Sequence, residues 1–366
     1  MLALRILQVC PGAYVSGLGG VSEHVVRISE GLAKLGHDVT VFATNPGGLP
    51  WFEVSNGVKV RRFKRFAPGR AYFFSPTMFL ALLAANGFDV IHAHSFHAFP
   101  MHFASLAGCK RFVVTTHFHG AGHSTLRNLL FRLFGLFGWL TLLKADVIVA
   151  VSDFERSLLL ERFRLDEHRV VVVPNGVNFG EFEGIKRHSR GFRSILYVGR
   201  LEEYKGVQYL VEVLPKLAVD VILEIVGGGS LRGFLEQRAS QLGVSGRVRF
   251  YQNLTRKNLL QLYKDADVFM LLSRYEAYGL VVAEALASST PCVVANTSSL
   301  SEWVDGETCF GVGYPVRFGE LLQVISFVLD HKIDGVSGKR VDNKILDWKN
   351  VACQLEKIYF RTKRMS

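Results

Sequence analysis

Charged side chains set between glycines mark where ligand chemistry is most concentrated in this chain. The run Gly199-Arg-Leu-Glu-Glu-Tyr-Lys-Gly206 follows an apolar stretch, Ser194–Val198, that reads as a strand. Arg200 then stands at a strand's carboxyl end and Lys205 at the mouth of the next helix. A guanidinium fork and an ammonium point charge at such a place suit a diphosphate. The alternative is a solvated loop with ordinary surface charge. A second run, Ser273-Arg-Tyr-Glu-Ala-Tyr-Gly-Leu-Val-Val-Ala-Glu284, follows apolar Val268–Leu272. Glu276 falls in its loop, and Glu284 in the second turn of a helix expected from Gly279 to Ala287. The amides of Gly279 and Leu280 at the start of that helix can hold a phosphate. A carboxylate in a helix otherwise built of Val, Ala and Leu needs a partner, either ligand hydroxyls or a structural salt bridge. The third run, Gly17-Leu-Gly-Gly20, joins a strand at Leu4–Val9 to a helix at Val21–Leu35. Gly19 and Gly20 there either admit a ligand close to the backbone or simply make a tight turn.

Other polar groupings carry less. Asp265-Ala-Asp267 is formally a DxD metal–diphosphate motif. It precedes the strand Val268–Leu272 instead of following one, so it reads as a helix terminus. His92, His94 and His97 have no carboxylate or cysteine beside them, and the first two read as strand-end or packing residues. No metal site is expected. His117 and His119 share one face of an extended segment. The stretch Arg61–Phe74 interleaves Arg61, Arg62, Lys64, Arg65 and Arg70 with Phe63, Phe66, Tyr72, Phe73 and Phe74. Such a stretch binds nucleic acid, seats a loop on a membrane, or is a solvated loop with packed aromatics. No nucleic-acid fold signature accompanies it, so nucleic acid is not an expected partner.

The elements that must position these residues alternate along the whole chain. Its 366 residues suffice for two domains, and 49% hydrophobic with 20% charged residues excludes a disordered or fibrous class. The apolar runs Leu4–Val9, Asp38–Ala43, Val90–His94, Phe112–Thr116, Val147–Val151 and Val170–Val173 read as buried parallel strands. Val21–Leu35 and Asp153–Phe163 read as helices between them. Pro174–Phe192 breaks the rhythm. Strands then resume at Ser194–Val198, Val221–Val226, Val248–Tyr251, Val268–Leu272 and Pro291–Ala295. Helices are expected at Gly206–Leu217, Leu231–Leu242, Arg256–Lys264 and Gly279–Ala287. Each half should bind ligands at the carboxyl ends of its strands. A net charge of +11 favours anionic partners. The five scattered cysteines form no CxxC pair, which fits a reducing cytosol. The apolar start is short and reads as a strand, not as a signal peptide. Leu126–Leu143 carries apolar residues at helical spacing but is too short in its uninterrupted part to span a bilayer; it packs on a domain or lies in a membrane interface.

Glu276 and Glu284, with Ala285-Leu-Ala-Ser-Ser-Thr-Pro291 after them, resemble the EPFGxxxxEAMAxGxP signature of retaining GT-B glycosyltransferases of family 4. "GRLEEYKG" resembles that family's phosphate site. "LAKLGHDVTVFA" at Leu32–Ala43, "DVIHAHS" at Asp89–Ser95, "VVTTHFHG" at Val113–Gly120, "ADVIVAVS" at Ala145–Ser152 and "VPNGV" at Val173–Val177 follow the family's order. Ala277 replaces its usual proline, Tyr278 its phenylalanine and Ser289 its preferred glycine. The resemblance implies that Gly19 and Gly20 lie against the donor phosphate or sugar and that His117 touches the donor sugar near the reacting centre. It implies that Arg200 and Lys205 hold the diphosphate, that Glu276 binds hydroxyls of the transferred sugar and that Glu284 binds those of the ribose. Tyr278, Gly279 and Leu280 complete the expected donor site. The family is retaining and generally needs no metal, and no cofactor is expected.

The fold expected is therefore α/β of GT-B type, two Rossmann-like domains facing each other across a cleft. An acceptor-binding domain is expected over 1–178, a linker over 179–192 and a nucleotide-sugar-binding domain over 193–344. A helix within 345–366 is expected to cross back to the first domain. The activity expected is retaining transfer from a nucleotide-sugar to a glycan or lipid-linked acceptor. The protein is expected to be cytoplasmic, with an anionic membrane surface as a further candidate partner. A sugar isomerase or phosphorylase on a similar fold is the competing enzyme. A basic membrane- or nucleic-acid-binding protein is the non-enzymatic alternative.

Overall fold

The computed structural model describes residues 2–17, 19–66, 73–120, 125–331, 333 and 345–361, with side chains at 125–133 left out. It divides into one compact unit of Met1–Gly176 with Asp347–Ser366, and a second of Val177–Leu346. The stretch expected as a linker, 179–192, belongs to the second unit. Charge fixes it there: Arg190 bonds Glu224 at 2.6 Å and Asp265 at 3.0 Å.

In the first unit the strands β1 (Arg5–Val9), β2 (Asp38–Asn45), β3 (Phe52–Ser55), β4 (Val58–Lys64), β5 (Val90–His94), β6 (Arg111–Thr115), β7 (Val147–Ala150) and β8 (Val170–Val172) form one sheet. Their order is β3-β4-β2-β1-β5-β6-β7-β8, and only the β3–β4 pairing is antiparallel. Helices α1 (Gly20–Lys34), α2 (Pro76–Leu83), α3 (Phe99–Ala104), α4 (Thr125–Lys144) and α5 (Asp153–Phe163) connect the strands. Central strands such as β5 and β6 are buried along their full length, the polar His92, His94, Arg111 and Thr115 included.

The β3–β4 hairpin revises the reading of Arg61–Phe74 as a loop. Arg61, Arg62, Phe63 and Lys64 lie in β4, and Arg62 is an inward position. Its guanidinium bonds Glu53 at 2.5 Å and the Ala13 carbonyl at 2.9 Å. A cation at a buried position broke the apolar–polar alternation that would have announced the strand. Arg62 is therefore unavailable to a membrane or nucleic acid. Arg65, Phe66, Phe73 and Phe74 follow the strand, while Arg70 and Tyr72 lie outside the described residues.

After the two-residue strand β9 (Gly176–Val177), the second unit builds its own sheet from β10 (Arg193–Val198), β11 (Val221–Val226), β12 (Val248–Tyr251), β13 (Val268–Leu271), β14 (Cys292–Ala295) and β15 (Cys309–Val312). The order is β12-β11-β10-β13-β14-β15, all parallel. Helices α6 (Val207–Val213), α7 (Arg232–Gln241), α8 (Arg256–Asp265), α9 (Leu280–Ala287) and α10 (Phe318–Asp330) join or follow these strands. β15 and α10 were not legible beforehand. Ser289, where the family prefers glycine, takes φ 65° just after α9. That is the left-handed region glycine occupies at least cost, which accounts for the preference.

The last helix, α11 (Trp348–Phe360), belongs to the first unit, where it packs on α1. Asp347 caps it through the Lys349 amide at 2.7 Å.

Candidate functional site

In the second unit the chain begins at β10, builds outward through β11 and β12, then returns to lay β13, β14 and β15 on the other side. Strand order therefore reverses between β10 and β13, and the loops leaving these two strands diverge there. In such sheets this is where ligands bind. The loop after β10 carries Arg200 and Lys205, and the loop after β13 carries Glu276.

The structure ties the two loops together. Lys205 Nζ meets Glu276 Oε1 at 2.5 Å, with both side chains about six-sevenths buried. The Arg274 amide donates to the Tyr204 carbonyl at 2.7 Å. Gly206 makes the approach possible. At φ 72°, a Cβ there would sit 2.2 Å from the Leu272 carbonyl oxygen. Arg200 is exposed, and its guanidinium bonds the Tyr204 hydroxyl. Below Glu276, Ser298 accepts its amide at 3.1 Å and Ser299 donates to its carbonyl at 3.0 Å. A cation and a carboxylate held together in this way are pre-placed, and each keeps donors or acceptors for a ligand.

Gly279, at φ 90°, caps α9, so the amides of Gly279 and Leu280 stand at a helix N-terminus. Tyr278 is packed in the core, with its ring against Trp303 and its carbonyl accepting the Trp303 indole at 2.7 Å. It shapes the loop from beneath. Glu284 is buried and already has partners: Arg256 at 2.6 Å and the Tyr263 hydroxyl at 3.0 Å. Arg256 in turn bonds Glu181 at 2.7 Å. Glu284 thus takes part in a structural salt bridge. Asp265 ends α8, Asp267 stands just before β13, and both are committed to the protein. Asp265 accepts from Gln261, Arg190 and the His188 amide, and Asp267 accepts from Arg187 and the Ser194 amide.

The first unit gathers a different set. Its strand order reverses between β1 and β5. Gly19, at φ 116°, caps α1, and Gly20 opens it. Glu23 in the first turn accepts the Gly17 amide at 3.0 Å and the Ser16 hydroxyl at 2.6 Å, so a side-chain carboxylate already serves this helix start. His94, ending β5, meets His24 of α1 and His117 after β6. The ring centroids of His24 lie 5.3 Å from His94 and 4.9 Å from His117. Burial pushes the His24 imidazole down to about 4, and burial with mutual repulsion drives His94 and His117 well below the ordinary range. His24 had no signal in the sequence, because its position on α1 reads as ordinary helix.

His117 takes φ 47°, uncommon outside glycine. Glu155, buried on α5, accepts from Thr116 Oγ and from the Phe118 amide, so it grips the residues on either side of His117. It also accepts the Val151 amide at 2.7 Å. Burial raises its carboxyl to about 7 against these hydrogen bonds. Sequence reading passed over Glu155. Its only signal, Ser152-x-x-Glu155, is that of a helix capping box.

Residues 18–181 match the Glycosyltransferase Family 4 profile, and residues 180–312 match Glycosyl transferases group 1. An uncharacterized glycosyltransferase of Methanocaldococcus jannaschii is 31% identical over 79% of this chain and 80% of its own. The chain belongs to glycosyltransferase family 4. It is also 28% identical to a phosphatidyl-myo-inositol mannosyltransferase of Mycolicibacterium smegmatis, over 97% of this chain and 93% of that one. Sucrose-phosphate synthase of Thermosynechococcus elongatus superposes with a TM-score of 0.81 at 21% identity, covering 97% of this chain and 98% of its own. HepE of Anabaena, solved with UDP and glucose, gives 0.78 at 17% identity over 97% and 99%. The fold is GT-B, with two Rossmann-like domains. As a glycosyltransferase the protein is an enzyme, which sets aside the non-enzymatic reading.

Proposed function

We propose that this glycosyltransferase takes its sugar from a nucleoside-diphosphate-sugar held by the second unit and delivers it, with retention, to an acceptor held by the first. The observation carrying this is the Lys205–Glu276 pair at the strand-order reversal, with Arg200 beside it and a helix N-terminus following. Arg200, Lys205 and the amides of Gly279 and Leu280 take the diphosphate. As the glycosidic bond breaks, charge grows on the leaving oxygen, and fixed donors there stabilise it without a divalent ion. Glu276 holds hydroxyls of the transferred sugar, and Glu284 shares its buried oxygens with the ribose. The leaving phosphate takes the acceptor's proton on the same face. The UDP of the similar HepE structure supports this class of donor.

The acceptor we propose is lipid-linked, met at an anionic membrane surface. α4 buries Phe134, Gly138, Thr141 and Leu142 on one side and exposes Leu136, Phe137, Trp139, Leu140 and Leu143 on the other. Lys144 is exposed at its end. An outward apolar face of this kind calls for an apolar neighbour. No described helix is long and apolar enough to cross a membrane, so contact would be interfacial. A relative named for phosphatidyl-myo-inositol supports the same class of acceptor.

Calorimetric titration with UDP, GDP and ADP tests the donor site. One nucleoside diphosphate is expected to bind, equally well with EDTA present. Arg200→Ala and Glu284→Gln are each expected to cost about 1–3 kcal/mol of affinity. Unchanged affinity in both folded variants would overturn the placement.

A further inference from the structure

The turn that carries His117 is held by a residue from another element. Thr116, His117 and Phe118 follow β6 at its carboxyl end. Thr116 is fully buried, and its carbonyl accepts the Phe96 amide at 2.8 Å. Phe118 is fully buried too, with its ring 4.9 Å from that of Phe96 and 5.4 Å from that of Phe163. Between these anchors His117 takes its left-handed φ of 47°, a conformation that disfavours any residue with a Cβ. Glu155 Oε1 accepts both the Thr116 hydroxyl and the Phe118 amide, so one oxygen spans His117 and keeps the turn closed. Oε2 accepts the Val151 amide at 2.7 Å, which ties the turn to the end of β7. Glu155 is itself placed by Ser152, whose hydroxyl accepts its amide at 3.0 Å at the start of α5. Packing alone does not call for a carboxylate here, because burying one is costly even when it is hydrogen-bonded.

We propose that Glu155 is a positioning residue for the transfer reaction, its ionised carboxylate holding the Thr116–Phe118 turn so that His117 is presented to the transferred sugar. This rests on the reading of His117 as a group near the reacting centre. The donors require the ionised form. Backbone amides only donate, so a proton on either oxygen faces one of them, and the Thr116 hydroxyl alone can turn round to accept it. Protonation therefore leaves the Phe118 or the Val151 amide with a poorer acceptor, and the turn loosens. Burial raises the Glu155 carboxyl to about 7 against its three hydrogen bonds. Asp153 and Arg156 on its own helix, and His117 and His119 on the segment it holds, do not set that balance; β7 and β8 bring only Val, Ile and Ala. The imidazoles of His24, His94 and His117 are kept neutral and do not titrate near 7. Turnover should therefore rise with pH through about 7 as Glu155 ionises.

The test follows donor hydrolysis by the full chain from about pH 5.5 to 9, with UDP-glucose, or with GDP-mannose or ADP-glucose where that nucleotide is the one bound. The wild type should show a single rising step near pH 7. In Glu155→Gln the side-chain nitrogen must face a backbone donor. Its kcat should be about 10- to 100-fold lower, the scale for a catalytic group displaced by about 1 Å, and the step should vanish. Nucleoside diphosphate affinity should be unchanged, because the nucleotide belongs to the second unit. Thr116→Val keeps the carboxylate but removes one of its donors, and should move the step to higher pH. Wild-type kcat in folded Glu155→Gln, a step that persists in it, or nucleotide affinity that falls in parallel with kcat would each overturn the proposal. If that variant does not fold, an unmoved step in Thr116→Val does the same. His117→Ala separates this from the reading beneath it. Turnover kept in His117→Ala would remove that reading and the proposal with it, whereas turnover lost there but kept in Glu155→Gln would overturn the proposal alone.

Discussion

The two units wind their sheets in the same way, and each gathers its polar residues where strand order reverses, yet the chemistry gathered is opposite. In the second unit the groups bear permanent charge and are matched in pairs, Lys205 with Glu276 and Arg256 with Glu284. In the first they are imidazoles kept neutral by burial, each of His24, His94 and His117 with a ring nitrogen left without a hydrogen-bond partner. A shared fold therefore fixes where a site is built but not what it binds. Paired charges can open toward an anion at modest cost, since each keeps further hydrogen-bonding capacity. Neutral imidazoles attract no anion and suit a hydrogen-bonding ligand.

The largest break in this contrast should come from Lys205→Ala. It removes a cation from the diphosphate and strands Glu276. Turnover is expected to fall about 100-fold or more, the scale for one lost donor to a developing oxyanion. A donor-hydrolysis or transfer assay under saturating donor measures it. Turnover within a factor of a few of wild type would mean that the pair is only structural.

A smaller effect is expected at Glu284, where the second unit's charges also hold its core. Glu284→Gln leaves Arg256 with Glu181 but replaces a charged partner in a buried setting. Chemical denaturation should show a loss of about 2 kcal/mol, somewhat below the range for breaking a fully buried pair. Unaltered stability together with weakened nucleotide binding would move Glu284 wholly to the ligand.

The smallest effect on the fold, and the sharpest on location, is expected at the exposed apolar residues in the described second half of α4. Phe137→Glu with Leu140→Glu should change stability by no more than about 0.5 kcal/mol, as surface substitutions usually do. The same pair should abolish salt-sensitive cosedimentation with anionic vesicles. Equal recovery of wild type in the supernatant with anionic and neutral vesicles would remove the membrane from the proposal. The helical spacing of that stretch was legible from Leu126 to Leu143, but its first half, through Leu133, falls on side chains outside the described set.

Much of the second unit was readable in advance. Arg200, Lys205, Glu276 and Gly279 stand beside apolar strands in one continuous spelling, so strand ends and helix starts could be placed by periodicity alone. The first unit was read less well. Arg62 concealed β4 by placing a cation inward, Glu155 drew no attention within its helix, and His94 passed as a strand-end or packing residue. Each of these residues acts through a partner far along the chain: Ala13 for Arg62, Thr116 for Glu155, Gln8 for His94.

By itself the sequence determined the alternation of strands and helices, the glycosyltransferase family, and the loops from which the charged groups project. These follow from local patterns, because burial on both faces dictates apolar strands and tight turns dictate glycine. Only the tertiary structure decided that Lys205 meets Glu276, that Glu284 is held by Arg256 and Tyr263, and that His24, His94 and His117 converge. The reason is geometric: pairing between β1 and β5, or β10 and β13, joins segments dozens of residues apart, and no spacing along the chain encodes which side chains then face one another.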